Sequence, residues 1–156
     1  MADVGDDRAV SPVFGYALTL SISTLLITGL LVAAGGFVDN QRELTSENEL
    51  EVIGHQVAAD IAAADRLSRT NGVDTSELSI TRTVPQRIVG SSYRIYLRTG
   101  GNGPTDPYLE LRVTDPEVTV TVGLAVAPST TVAESSTGGG QVMVEVDGGD
   151  LVIRDA

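Results

Sequence analysis

The chain has 156 residues and a formal net charge of −11, and all ten of its basic side chains are arginine. Binding phosphate backbones needs a positive surface, so no nucleic-acid partner is expected, and the absence of cysteine excludes disulfides, thiolate metal sites, a thiol nucleophile and a lipid-bearing cysteine anchor. An acidic, lysine-free surface suits very high salt, where carboxylates are screened and stay hydrated, so the composition reads as that of a halophile.

Residues 9–38 carry no charge. As an α-helix the run spans about 45 Å, more than the ~30 Å hydrocarbon core of a bilayer. Ser11 can cap the first turn and Pro12 suits the first helical position, so the helix is predicted to begin near Ser11. Two alternatives compete: a buried core helix of a soluble domain, and a secretory signal peptide cut after small residues at Val32-Ala33-Ala34. The length of the run speaks against both, and the preceding stub sets Asp3, Asp6 and Asp7 against only Arg8. Within the run Ala17, Ser21, Thr24, Thr28 and Gly35 fall close to one helical face. That face reads as a helix-packing seam, because in lipid close approach at small residues drives association. The other reading is an isolated span whose hydroxyls bond to carbonyls one turn back.

The helical pattern resumes over residues 39–71. Leu44, Leu50, Ile53, Val57, Ile61, Ala64 and Leu67 form an apolar stripe, with Glu47, Glu49, Glu51, Asp60, Asp65, Arg66 and Arg69 largely elsewhere. Thr70-Asn71-Gly72 supplies the stop. If continuous with the apolar run, the rod approaches ~90 Å, and Gly35-Gly36 is where a bend or local melting is expected. Alternate residues on a helix diverge, so Glu47, Glu49 and Glu51 read as a solvated acidic face, not a cation site. His55, the single histidine, reads as a polar residue on the helix flank.

From residue 78 onward apolar and polar residues alternate. Residues 78–82, 93–98, 108–113 and 118–122 each read as a half-buried strand, with turns at 100–104 and at Asp115-Pro116. Residues 128–140 read as a looser stretch, and Ser129 to Gly140 as the place for an exposed contact. Residues 142–146 and 151–153 flank Asp147-Gly148-Gly149-Asp150, the best hairpin signal in the chain. The expected fold is α+β: a long N-terminal membrane-spanning helix continues into an amphipathic helix that packs on a small antiparallel β-sheet head.

Signatures of catalysis are missing: there is no P-loop, dinucleotide fingerprint, His-Glu-x-x-His or Gly-x-Ser-x-Gly. No enzyme activity, cofactor, catalytic residue or metal site is expected.

Arg8-Ala9-Val10-Ser11-Pro12-Val13, followed by a long uncharged helix, resembles the N-terminus of archaeal type IV pilins, especially haloarchaeal ones. The resemblance covers about the first forty residues and implies a class III signal peptide cut between Ala9 and Val10 by a prepilin peptidase, with Arg8, Val10, Ser11, Pro12 and Val13 as the recognition motif. It implies four segments: a leader at 1–9, a membrane and filament-core helix at 10–38, its amphipathic continuation at 39–71 and an extracellular β-rich head at 72–156. The expected role is that of a pilin-like subunit of a surface filament or related machine. Its partners would be the membrane, the peptidase and other pilin-like subunits or copies of itself. The alternative is a single-pass anchored extracytoplasmic binding or sensing module that never polymerises.

Overall fold

The computed structural model describes residues 7–70, 78–100 and 106–156, with side chains described from Val13 onward in the first of these. Residues 1–6 of the expected leader, Asn71-Gly72 and residues 101–104 lie outside the described residues. The described chain forms one helix, α1 (Asp7–Ser68), and eight strands: β1 (Ser79–Thr83), β2 (Tyr93–Arg98), β3 (Tyr108–Thr114), β4 (Glu117–Gly123), β5 (Thr131–Val132), β6 (Ser135–Gly138), β7 (Gln141–Asp147) and β8 (Asp150–Asp155). Two compact units result, divided after Gln41.

The helix begins at Asp7, four residues before the expected Ser11, and Pro12 lies inside it. A proline in the second turn forfeits its bond to the carbonyl four residues back, here that of Arg8, and crowds that carbonyl, but this lies near the helix end, where Arg and Ala are good helix formers. Gly35 and Gly36 also remain helical. Each glycine costs about 1 kcal/mol relative to alanine, too little to interrupt a backbone ladder continued by better formers on both sides.

In the unit from Arg42 onward, the apolar stripe supplies one wall of the core: Leu50, Ile53, Val57, Ile61 and Ala64 are buried. Leu44 and Leu67, assigned to the same stripe, stay largely exposed at its two ends. Gly54 lies between the buried positions, and a Cβ there would sit 2.8 Å from Val122 Cγ2 and 3.0 Å from Leu111 Cδ1. The missing side chain is therefore what lets the helix backbone press against β3 and β4.

The expected single antiparallel sheet is two four-stranded sheets, ordered β1-β7-β8-β5 and β4-β3-β2-β6, and the β5–β8 pair is parallel. The stretch read as loose, 128–140, provides an edge strand to each: β5 to the first and β6 to the second. Short Ser/Thr/Gly strands carry little alternation, so their partners hold them. Ser135 Oγ accepts the Ile153 N–H at 3.0 Å, and Asp155 accepts the Gly138 N–H at 3.3 Å and the Thr137 hydroxyl. The remaining strands fall within two residues of expectation. β7 and β8 form the expected hairpin, with Gly148 and Gly149 at positive φ in a turn that needs both. Tyr93, Ile95 and Leu97 of β2 and Leu109, Leu111 and Val113 of β3 point inward, joining Val142, Val144, Leu151 and Ile153 in one core with the helix stripe.

Two aspartates expected on the polar face are instead buried. Asp60 takes a bidentate pair from Arg82 of β1, one arm at 2.6 Å, and Asp65 is only 2% exposed. Helical periodicity places such residues on a face. What occupies the space beyond that face is decided by the sheet and the loop that reach it.

Candidate functional site

The functional candidate is the first part of α1. From Val13 to Val38 every side chain is exposed, including Leu25, Val32 and Phe37, with exposures near 70%. Among the described residues this is one helix long and apolar enough to cross a membrane. Leu and Ala favour the helix here, and its β-branched residues are interspersed singly or in pairs. Its surface is apolar all round, which is the pattern of a helix with no aqueous face.

The residues of the expected packing face meet no neighbour of their own chain. Ala17, Ser21, Thr24, Thr28 and Gly35 are all exposed, and a Cβ on Gly35 would contact nothing within 4 Å. The hydroxyls are spoken for locally: Ser21 donates to the Ala17 carbonyl at 2.8 Å, Thr24 to Leu20 at 2.9 Å, and Thr28 to Thr24 at 2.9 Å. Thr19, outside the expected face, does the same toward Gly15. What the face offers a neighbour is therefore small size and oxygen lone pairs, with no free hydroxyl proton.

Ala9, Val10, Ser11 and Pro12 of the expected cleavage and recognition motif lie within α1, as does Arg8, and Val13 is exposed. One signal was available in the sequence and went unread. Phe14, Tyr16 and Phe37 are the aromatic residues of this segment, and Tyr16 and Phe37 are separated along the helix by about 32 Å.

The unit from Arg42 onward carries polar and acidic side chains. His55 is exposed, with Nε2 3.7 Å from Glu51, and Glu47, Glu49 and Glu51 are exposed as well. Among the described residues no three histidine or carboxylate side chains converge on a point where an ion would sit. A hollow of about 720 Å³ is lined in part by Asp106, Tyr108, Glu110 and Thr121, and its Glu110 carboxylate is engaged by Arg112.

The head's polar interior is structural. Burial pushes the Asp65 carboxyl up, but hydrogen bonds from the Thr130 hydroxyl, Arg69 and the Ala127 N–H outweigh it and hold the group below the ordinary aspartate value. Asp155 is lowered by its bonds from Thr137 and Gly138. Tyr93 is pushed up to about 12 by burial and then by the charge of Glu49, and its hydroxyl donates to the Pro85 carbonyl at 2.7 Å.

A family model described as Family of unknown function (DUF7266) matches residues 5–154. No curated protein and no solved structure matches the chain.

Proposed function

We propose, for a chain that belongs to the family of unknown function DUF7266, the role of a non-enzymatic pilin-like subunit of an archaeal type IV pilus-like surface filament or related machine. A prepilin peptidase cuts it between Ala9 and Val10, and it assembles through its N-terminal helix.

The observation that carries this reading is the joining of two kinds of surface in one helix. From Val13 to Val38 α1 is apolar on every side and wholly exposed, and from Leu50 to Ala64 the same helix forms the core of a β-rich head. An apolar helical surface of that length has two stable environments: a bilayer, or a bundle of its own kind. Tyr16 carries an amphipathic ring of the kind that favours a membrane boundary, and it lies about 32 Å along the helix from Phe37, close to the ~30 Å hydrocarbon core. Storage in lipid followed by packing into a filament uses both environments in turn.

Mass spectrometry of the mature N-terminus tests the proposal. A start at Val10, with the protein recovered in sheared surface filaments, is the expected result. An intact Met1 or Ala2 start sinks processing and leaves a plain anchor, and a start at Gly35 indicates a secreted soluble domain.

One observation favours the non-polymerising anchor as a second reading: the hydroxyls at Ser21, Thr24 and Thr28 are already satisfied within their own helix, as they would be in an isolated span.

A further inference from the structure

The outer face of the sheet β4-β3-β2-β6 breaks a rule of strand pairing. Arg94 of β2 stands directly opposite Arg112 of β3, and like charges in that position destabilise a sheet. One row along, Tyr96 lies opposite Glu110, and beyond it Arg98 lies opposite Tyr108. The Arg98 guanidinium stacks over the Tyr96 ring at 4.9 Å and that of Arg112 at 5.9 Å. The flanking strands present only small groups to the same rows, Ser136 and Gly138 on one side and Thr119 and Thr121 on the other, so the arginines and tyrosines stand proud as a ridge.

This ridge is incompletely paired within its own chain. Arg112 pairs with Glu110 at 2.5 Å, and Arg98 reaches Glu134 only at 3.9 Å. Arg94 forms no salt bridge among the described residues and acts on Asp155 only through a longer-range attraction. The Tyr96 ring lies against two guanidiniums, and guanidinium N–H groups are the donors that receive carboxylates.

We propose that the ridge Arg94–Tyr96–Arg98–Arg112 binds the exposed glutamate row Glu43–Glu47–Glu51 on α1 of a second copy of this chain. The argument is charge and spacing. Arg94 and Arg98 lie about 13 Å apart along a strand, and Glu43 and Glu51 lie about 12 Å apart along a helix. Within one head the two surfaces cannot meet, because α1 packs on the opposite face of this sheet through Gly54 against Leu111 and Val122. On a surface of net charge −11 the arginine ridge is complementary to the acidic row of another copy, and such a pairing acts at contact distance, where salt screens it least. Two different patches meeting head to tail form a heterologous interface, which leaves a free ridge at one end and a free acidic row at the other and so can propagate into a filament where the rotation does not close a ring. The inference rests on the filament reading and deepens it by assigning a contact between heads.

The test uses the full-length chain, which has no native cysteine. Arg98→Cys and Glu47→Cys placed together are treated with a short bis-maleimide on intact cells. A ladder of covalent multimers is expected, with no more than dimers from either substitution alone. Reversing the ridge with Arg94→Glu and Arg98→Glu is expected to lower filament yield at least tenfold. Adding Glu43→Arg and Glu47→Arg to that variant is expected to restore it to within about twofold, which also shows that the reversed chains fold. Filaments starting at Val10 but giving no ladder, or a reversal without effect or without rescue, overturn this contact alone. A ridge reversal that abolishes retention on an alginate column while the ladder persists assigns the ridge to an anionic polysaccharide and overturns the contact as well. An intact Met1 with no filaments overturns the filament reading and the contact with it.

Discussion

Removing the Asp65 carboxylate is expected to destabilise the head by about 3 kcal/mol. The group is 2% exposed and receives the Ala127 N–H at 3.2 Å, the Thr130 hydroxyl and the Arg69 guanidinium at 2.9 Å, tying the end of α1 to the loop that leads into β5. Hydrogen bonds to a charged acceptor contribute roughly 1.5–3 kcal/mol each. In Asp65→Ala the Ala127 and Thr130 donors are half-buried and recover water only in part, so two bonds at the low end give about 3 kcal/mol. Arg69 is half-exposed and returns to solvent at little cost, so Arg69→Ala should lose under about 1 kcal/mol. For a unit of this size each kcal/mol shifts the melting temperature by about 4 °C, so Asp65→Ala should melt about 12 °C lower. The assay is thermal unfolding of the full-length protein in detergent at high salt, followed by tyrosine near-UV circular dichroism. The pH dependence supplies the sign: because the folded carboxyl titrates below its ordinary value, its contribution is complete above about pH 5 and is lost as pH falls through the depressed value. Asp65→Asn should lack that part of the acid loss. An Asp65→Ala melt within about 1 kcal/mol of the native chain, or an Asn variant with the native acid profile, refutes the reasoning.

At Gly54, a leucine is expected to destabilise the head by about 3 kcal/mol, since even its Cβ would lie 2.8 Å from Val122 Cγ2, whereas Gly36→Leu, with open space around it, should leave the head's melting temperature unchanged. Spectrophotometric titration of the phenols should find Tyr93 ionising near 12, and head stability should hold level to about pH 10 and then fall by roughly 2–3 kcal/mol as pH rises toward 12. Tyr93 titrating with its ordinary value near 10 would contradict its burial. Ser21→Leu and Thr24→Leu should insert normally in membrane fractionation but reduce filament recovery several-fold, and undiminished filaments would count against the packing face.

The parts of the fold that were legible in the sequence are those with local causes. The apolar run, the 50–64 stripe, four alternating strands and the Asp147–Asp150 hairpin all follow from periodicity or turn chemistry acting over a few residues. What stayed hidden depends on distant partners. β5 and β6 are strands only because β8 and β2 lie beside them, and the split into two sheets is a matter of pairing that no local pattern encodes. Gly54 reads as a flaw in a helix until Val122 is placed against it. Asp60 and Asp65 share a helical face with surface residues, and their burial is set by Arg82 and Thr130, 22 and 65 residues away. The candidate site was more legible than the head because a long uncharged apolar helix is specified by composition alone, whereas the ridge on β2 and β3 needed the register that sets Arg94 against Arg112.

The two environments open to the N-terminal helix make different demands on its hydroxyls. In lipid, an unpaired hydroxyl is costly, so a side chain that bonds back to its own helix makes an isolated span tolerable. In a bundle, hydroxyls free to donate across helices would add specificity, but they would also leave the unassembled subunit with unsatisfied donors in the bilayer. Ser21, Thr24 and Thr28 direct their protons to carbonyls one turn back, which meets the demand of the bilayer and leaves a neighbouring helix only their small size and oxygen lone pairs. On the proposed filament reading, a subunit that occupies both environments in turn is expected to associate through shape at its small residues, with orientation supplied from outside the membrane. That places the burden of specificity on the heads, where a charge-paired contact between copies has the directionality that a uniformly apolar helix lacks.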